Sequence, residues 1–180
     1  MKTLYLLRHA KSSWGQKGLP DHERPLNERG RRAAAVMGRY LHRSGMHPDA
    51  VLASDATRVV ETLAILLPEL GRNPAITYDR GLYLASPDTL MRHLQRISGS
   101  PDKVLIIAHN PGIQEFALEL AGTVEDDEAH DRRDRLKAKF PTAGLAILSF
   151  KKPKSWAEVR FGTGALMSFQ TPRELDRKTP

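Results

Sequence analysis

Two stretches of the chain end an apolar run in histidine. Leu4-Tyr5-Leu6-Leu7 runs into Arg8-His9, and Val104-Leu105-Ile106-Ile107-Ala108 runs into His109. A third apolar run, AVLAS at 50–54, leads into Asp-Ala-Thr-Arg, which puts Arg58 in the first turn of the next helical segment. Such short runs read as strands covered on both faces, and the residue closing one lies at the rim where open α/β sheets bind ligands. If the three strands are parallel, two imidazoles and two guanidiniums converge on one crevice. Taken singly, a histidine at a strand end is ordinarily structural and an arginine ordinarily a solvated charge. The weight lies in four of them meeting.

The chemistry of that group follows from its types. Guanidinium forks match the oxygens of a tetrahedral, doubly charged oxyanion, and a helix opening at Asn110 is expected to add free N–H groups and a positive dipole end. A neutral imidazole is a competent nucleophile toward phosphorus near pH 7. Phosphoryl transfer to histidine is the expectation. Competing chemistries lack their motifs: the seven histidines show no i, i+4 or His-x-His pairing for a metal, and GxxxxGK[ST], GxGxxG and GxSxG are all absent. No metal and no cofactor is expected.

The elements that must position these residues alternate along the chain. Residues 3–8 read as a strand, 10–26 as a polar loop, and 28–44 as a helix with Val36, Met37, Tyr40 and Leu41 in its apolar stripe. Strand 50–54 precedes a helix over 56–67, capped by Ser54 or Asp55 and stopped by Pro68. A short strand at 75–78, a helix opened by Ser86-Pro87, the strand 103–109 and a helix opened by Asn110-Pro111 follow. Two last strands are expected at 143–150 and 156–162. The alternation predicts an α/β fold, a three-layer sandwich with a mostly parallel central sheet and helices on both faces. Residues 1–170 are expected to form a single domain and 171–180 a disordered tail. The stretch 125–140 shifts from acidic to basic without an apolar stripe and reads as a solvated helix or mobile loop.

The motifs "LRHAKSSW", "RPLNERGRRAA", "VLASDATRVVET" and "VLIIAHNPGI", in that order, resemble those of the histidine phosphatase superfamily, the phosphoglycerate-mutase-like branch. The resemblance runs from residue 3 to about 122. Within the superfamily, "RHAKS", "RPL" and "HNP" are most similar to the SixA-type phosphohistidine phosphatases. The resemblance implies a phosphoglycerate-mutase-like fold and His9 as the nucleophile that becomes phosphohistidine. It implies that Arg8, Arg58 and His109 hold the phosphoryl oxygens, that Ser12 adds a hydroxyl donor, and that Arg24 is a further phosphate or substrate contact. Ala10 departs from the glycine common in relatives, which matters if the site needs a positive φ.

A second departure concerns the proton donor. Many family members that cleave esters use a glutamate from the loop after the third strand, and here no Glu lies between Glu69 and Glu115. An alkoxide leaving from an ester needs a positioned acid, whereas an imidazole leaving from phosphohistidine is a far weaker base. The absence favours phosphohistidine in a protein partner over a small phosphate ester. Asp21 is the candidate for any acid that remains, with Asp79 behind it and Asp88 read as first-turn helix charge. A non-catalytic module binding phosphorylated proteins is the alternative of another class, disfavoured because every core residue is present.

Bulk properties bound the rest. The chain has 180 residues, a net charge of +7 and no cysteine. Its basic residues are dispersed rather than striped, so an anionic ligand is favoured without nucleic acid being implied. No apolar run approaches the roughly 20 residues of a membrane span or the 7–15 of a secretory signal core. A cytoplasmic protein without nucleic-acid or membrane partners is the expectation.

Overall fold

Apolar side chains that alternate along a strand must be covered on both sides if both sets are large, and that requirement organises this molecule. The structure is a computed structural model that describes residues 1–15, 17–123 and 127–177. Six strands, β1 (Lys2–Arg8), β2 (Ala50–Ser54), β3 (Ala75–Asp79), β4 (Lys103–Ala108), β5 (Leu145–Phe150) and β6 (Ala165–Gln170), form one sheet in the order β3-β2-β4-β1-β5-β6. The first four in that order are parallel; β5 runs antiparallel to β1, and β6 antiparallel to β5. The helices are α1 (Glu28–Arg43), α2 (Thr57–Leu70), α3 (Pro87–Gln95), α4 (Gly112–Leu120), α5 (Asp127–Ala138) and α6 (Pro172–Arg177).

Each sheet face has its own core. Leu4, Leu6, Val104 and Ile106 pack with Leu90 and Leu94 of α3 and Ile113, Phe116 and Leu120 of α4. Their neighbours one residue on, Tyr5, Leu7, Leu105 and Ile107, point the other way. They pack with Met37 and Leu41 of α1 and Val59, Leu63 and Leu66 of α2. The three layers are those expected of an α/β fold with helices on both faces. No helix among the described residues is long and apolar enough to cross a membrane.

Several boundaries differ from the sequence reading. α2 has no side-chain cap and runs through Pro68 to Leu70, ending at Gly71 in the left-handed conformation (φ 64°). Pro68 falls in the final turn, where burial of Leu66 and Leu70 holds the chain against the core. In place of a strand at 156–162, Trp156–Glu158 forms a 3-10 turn. The buried Trp156 donates Nε1–H to the Pro101 carbonyl at 2.7 Å, and the last strand begins only at Ala165. The C-terminal stretch is not a loose tail through 177: α6 lays Leu175 against the α1–α2 core, while Glu174 pairs with Arg135 of α5. Residues 178–180 of that expectation lie outside the described residues. Of 125–140, residues 125 and 126 also lie outside them, and Asp127–Ala138 is helical with Leu136 as its one buried side chain.

Candidate active site

Strand register delivers the central residues. Arg8 pairs with Ala108 across β1 and β4, so His9 and His109 emerge side by side one residue beyond the two strand ends. Their ring centroids are 5.1 Å apart. β4 also pairs with β2, with Ala53 opposite Ile107, which brings Ser54 to the same rim and Arg58 in from the first turn of α2. His9, Arg58 and His109 are 6%, 2% and 1% exposed. The four residues expected to meet do meet.

The backbone around His9 is pinned. His9 N–H donates to the Ala108 carbonyl at 3.1 Å, and Ala10 N–H donates to Thr62 Oγ1 at 3.0 Å. Thr62 Oγ1–H donates in turn to the Arg58 carbonyl at 2.6 Å. Ala143 N–H is shared between the Arg8 and His9 carbonyls. Ala10 is fully buried and is not among the residues with positive φ, so this departure from glycine carries no backbone strain.

Hydrogen bonding fixes both tautomers. His9 Nδ1 lies 2.7 Å from the Ala10 carbonyl, which can only accept, so Nδ1 carries the hydrogen and Nε2 the lone pair. Arg58 Nη2 can only donate, so His109 Nδ1, 3.3 Å away, accepts and its Nε2–H donates to Ser54 Oγ at 2.9 Å. Burial, reinforced by Arg58, Arg8 and Arg24, takes His9 down to about 4 from the ordinary 6.5. Burial together with His9 and Arg58 takes His109 down to about 3. Both rings are neutral at pH 7.

The guanidiniums are held by one end and open at the other. Arg8 Nη1 donates to the Phe140 carbonyl at 2.8 Å, while its Nε is buried without a partner. Arg58 donates through Nη1 to the Asp21 carbonyl at 2.5 Å and through Nη2 to Asp21 Oδ2 at 3.0 Å, again with Nε unpaired. Arg24 donates to Ser12 Oγ at 2.7 Å and stacks 3.4 Å over the Trp14 ring. Its Nε lies 3.2 Å from Asp21 Oδ1 but off the line of a hydrogen bond, so Nε and Nη1 count as unsatisfied donors. Buried donors without acceptors are costly, and a cluster of them on cationic groups fits an anion.

Asp21 reaches the site as a carboxylate. The Tyr83 hydroxyl donates to Oδ2 at 2.5 Å, and with Arg58 and Arg24 it holds the carboxyl below its ordinary range. The sequence-based candidate for a proton donor is thus placed at the site, as an ionised acceptor in the resting state. Asp79 is not at the site: it caps the turn Arg80–Leu82 through Gly81 N–H at 2.7 Å and pairs with His93. The helix expected to open at Asn110 begins at Gly112, and the Ile113, Gln114 and Glu115 N–H groups bond to the carbonyls of His109 and Pro111. Asn110 instead donates to Gln114 Oε1 and the Phe140 carbonyl. Ser12 is buried and contacts Arg24, so its hydroxyl bears on the pocket through that guanidinium.

Tyr83, Thr62 and Ser54 are site residues that sequence reasoning missed. Thr62, four residues after Arg58 on one helix face, was the one with a readable signal. Glycine sets two close approaches: a Cβ at Gly112 would lie 1.8 Å from the Ala85 carbonyl oxygen, and one at Gly30 2.1 Å from that of Lys11. Those contacts seat the two loops that border the crevice. A groove of about 830 Å³ at the far end of the strands, lined by Arg132, Lys151 and Lys152 among others, holds none of the site residues. Among the described residues, no group of three or more His, Asp or Glu side chains is placed to hold a metal ion.

The family model described as histidine phosphatase superfamily (branch 1) matches residues 4–83. An uncharacterized protein of Mycobacterium tuberculosis is 36% identical over 167 residues, covering 93% of this chain and all of that protein. The chain belongs to the histidine phosphatase superfamily. Two solved structures extend the match. A protein of Nakamurella multipartitia assigned as the phosphohistidine phosphatase SixA superposes with a TM-score of 0.80 at 28% identity, covering 95% of this chain and 96% of that one. The Agrobacterium tumefaciens protein assigned likewise gives 0.77 at 26%, covering 95% and 98%. This member of the superfamily is of the SixA-type branch, with the phosphoglycerate-mutase-like fold.

Proposed function

We propose that this chain removes the phosphoryl group from phosphohistidine in a protein partner, through a phosphohistidine intermediate at His9. The observation that carries the reading is a neutral His9, its lone pair on Nε2, set among three guanidiniums with buried, unpaired N–H groups. Nε2 attacks phosphorus, the bond from phosphorus to the substrate nitrogen breaks, and that electron pair leaves on the departing imidazole. Arg8 and Arg58 hold the phosphoryl oxygens as charge redistributes, with His109 orienting Arg58 through Nδ1 and Arg24, oriented by Ser12 and Trp14, as a further contact. Water then attacks phospho-His9, releasing inorganic phosphate and restoring the imidazole. The chemistry calls for neither metal nor cofactor.

The choice of substrate rests on the proton. An ester's alkoxide requires an acid, and the carboxyl nearest the guanidiniums, Asp21, is ionised. An imidazole leaving group makes no such demand. The SixA neighbours, described as phosphohistidine phosphatases, support the same reading.

Rapid mixing with a radiolabelled phosphohistidine peptide, quenched in alkali, should trap an acid-labile label on His9 of the wild type. His9→Ala should carry no label and turn over no substrate. Wild-type turnover in His9→Ala, or a label on another residue, would exclude the mechanism. Hydrolysis of sugar phosphates with no action on the peptide would exclude the substrate.

A further inference from the structure

Asp21 poses a problem that the mechanism above leaves open. The crevice gathers guanidiniums around a dianionic phosphoryl group, yet a carboxylate sits against two of them. As an acid it is unsuited, being ionised. As a mere tether for Arg58 its side chain is partly redundant, because the Asp21 main-chain carbonyl already accepts Arg58 Nη1 at 2.5 Å. A negative charge at that place helps only if the group arriving beside it is positive.

The carboxylate is arranged to receive such a group. Oδ2 is occupied by Arg58 Nη2 at 3.0 Å and by the Tyr83 hydroxyl at 2.5 Å. Oδ1 has Arg24 Nε at 3.2 Å without hydrogen-bond alignment, so it retains lone pairs for another donor. Asp21 is about half exposed where Arg58 beneath it is buried, which puts it between the phosphoryl site and solvent. Aromatic surface adjoins it: the Tyr83 ring stands edge-on to His109 at 5.2 Å and to His22 at 4.9 Å.

We propose that Asp21 is the specificity-determining contact for the leaving group: Oδ1 accepts the N–H of the distal ring nitrogen of an N-phosphorylated imidazole and keeps that ring an imidazolium while phosphorus passes to His9. The inference rests on the phosphohistidine reading given above and says what in the site selects it. The step balances without a proton crossing the pocket. The substrate begins as a singly positive ring bearing a doubly negative phosphoryl group, facing a neutral His9. The N–P bond breaks with its electron pair going to the departing nitrogen, so the ring leaves as neutral imidazole still carrying its distal N–H. The new Nε2–P bond makes His9 the positive ring, with Nδ1–H on the Ala10 carbonyl. Asp21 does for the departing ring what Ala10 does for the arriving one. An alkyl phosphate offers no cation to this carboxylate and finds no acid in it.

The test compares kcat/KM on a phosphohistidine peptide with that on p-nitrophenyl phosphate, whose leaving group is an anion needing no proton. Asp21→Asn keeps the shape and removes the charge. It should lower the peptide value at least tenfold more than the p-nitrophenyl phosphate value. Tyr83→Phe loosens Oδ2 but keeps the charge, and should shift that ratio less than threefold. Equal losses on both substrates in Asp21→Asn, or the same ratio change in Tyr83→Phe, would reduce Asp21 to a tether for Arg58 and overturn the inference alone. A wild type that hydrolyses p-nitrophenyl phosphate but leaves the peptide untouched would instead remove the substrate reading, and the inference with it. Thermal melts of both variants within a few degrees of the wild type make the comparison one of chemistry.

Discussion

Acidification of the wild type beside His9→Gln measures how strongly the fold keeps the proposed nucleophile, His9, neutral. In the unfolded chain His9 gains a proton as pH falls below about 6.5, whereas in the folded chain burial and the surrounding guanidiniums hold it neutral down to about 4. The unfolded state therefore binds more protons between those limits, and stability declines as pH falls through that window. Above it, both states are neutral and His9 contributes no pH dependence. A gap of about 2.5 units at about 1.36 kcal/mol per unit comes to about 3 kcal/mol. Urea unfolding at half-unit steps from pH 7.5 to 4 gives the curves for both proteins. Subtraction removes the carboxylates they share. Wild type should lose about 3 kcal/mol that the variant keeps, most of it between pH 6 and 4. Parallel curves would mean that His9 titrates alike folded and unfolded, and would refute the neutral, desolvated nucleophile on which the chemistry depends.

Two further outcomes follow from the same geometry. Arg58→Ala removes a donor aimed at the transition state and strips Asp21 of its principal cation, so kcat/KM should fall on the order of 10²–10³ in steady-state assays. Gly112→Ala must push the Ala85 carbonyl, 1.8 Å from the new Cβ, out of its place beside α4. The cost should be at least about 1–3 kcal/mol in chemical denaturation, with activity lost as the loop carrying Tyr83 shifts.

Much of the site was legible because it depends on strand ends. "LYLLRH" and "VLIIAH" announce buried strands by composition alone, and parallel pairing then puts His9 beside His109 without any side-chain knowledge. What could not be read depends on how loops fold over that rim. The contacts that hold Asp21 at the pocket come from Tyr83 and Arg58, 62 and 37 residues away. No local pattern at "LPDHERPL" encodes those contacts. Trp156 sits in a stretch that reads as a strand, and its indole bond to Pro101 decides otherwise. Pro68 is tolerated for a similar reason, because packing of Leu66 and Leu70 outweighs the local preference to stop.

The register of β1 on β4 has an evolutionary corollary. Phosphoryl chemistry is housed in the rigid sheet, whose strand spacing fixes how far apart the two imidazoles stand. Discrimination among leaving groups is delegated to surface segments folded over that rim, foremost the one bearing Asp21. A lineage of such proteins can therefore exchange those segments and acquire new clients while inheriting the reaction intact.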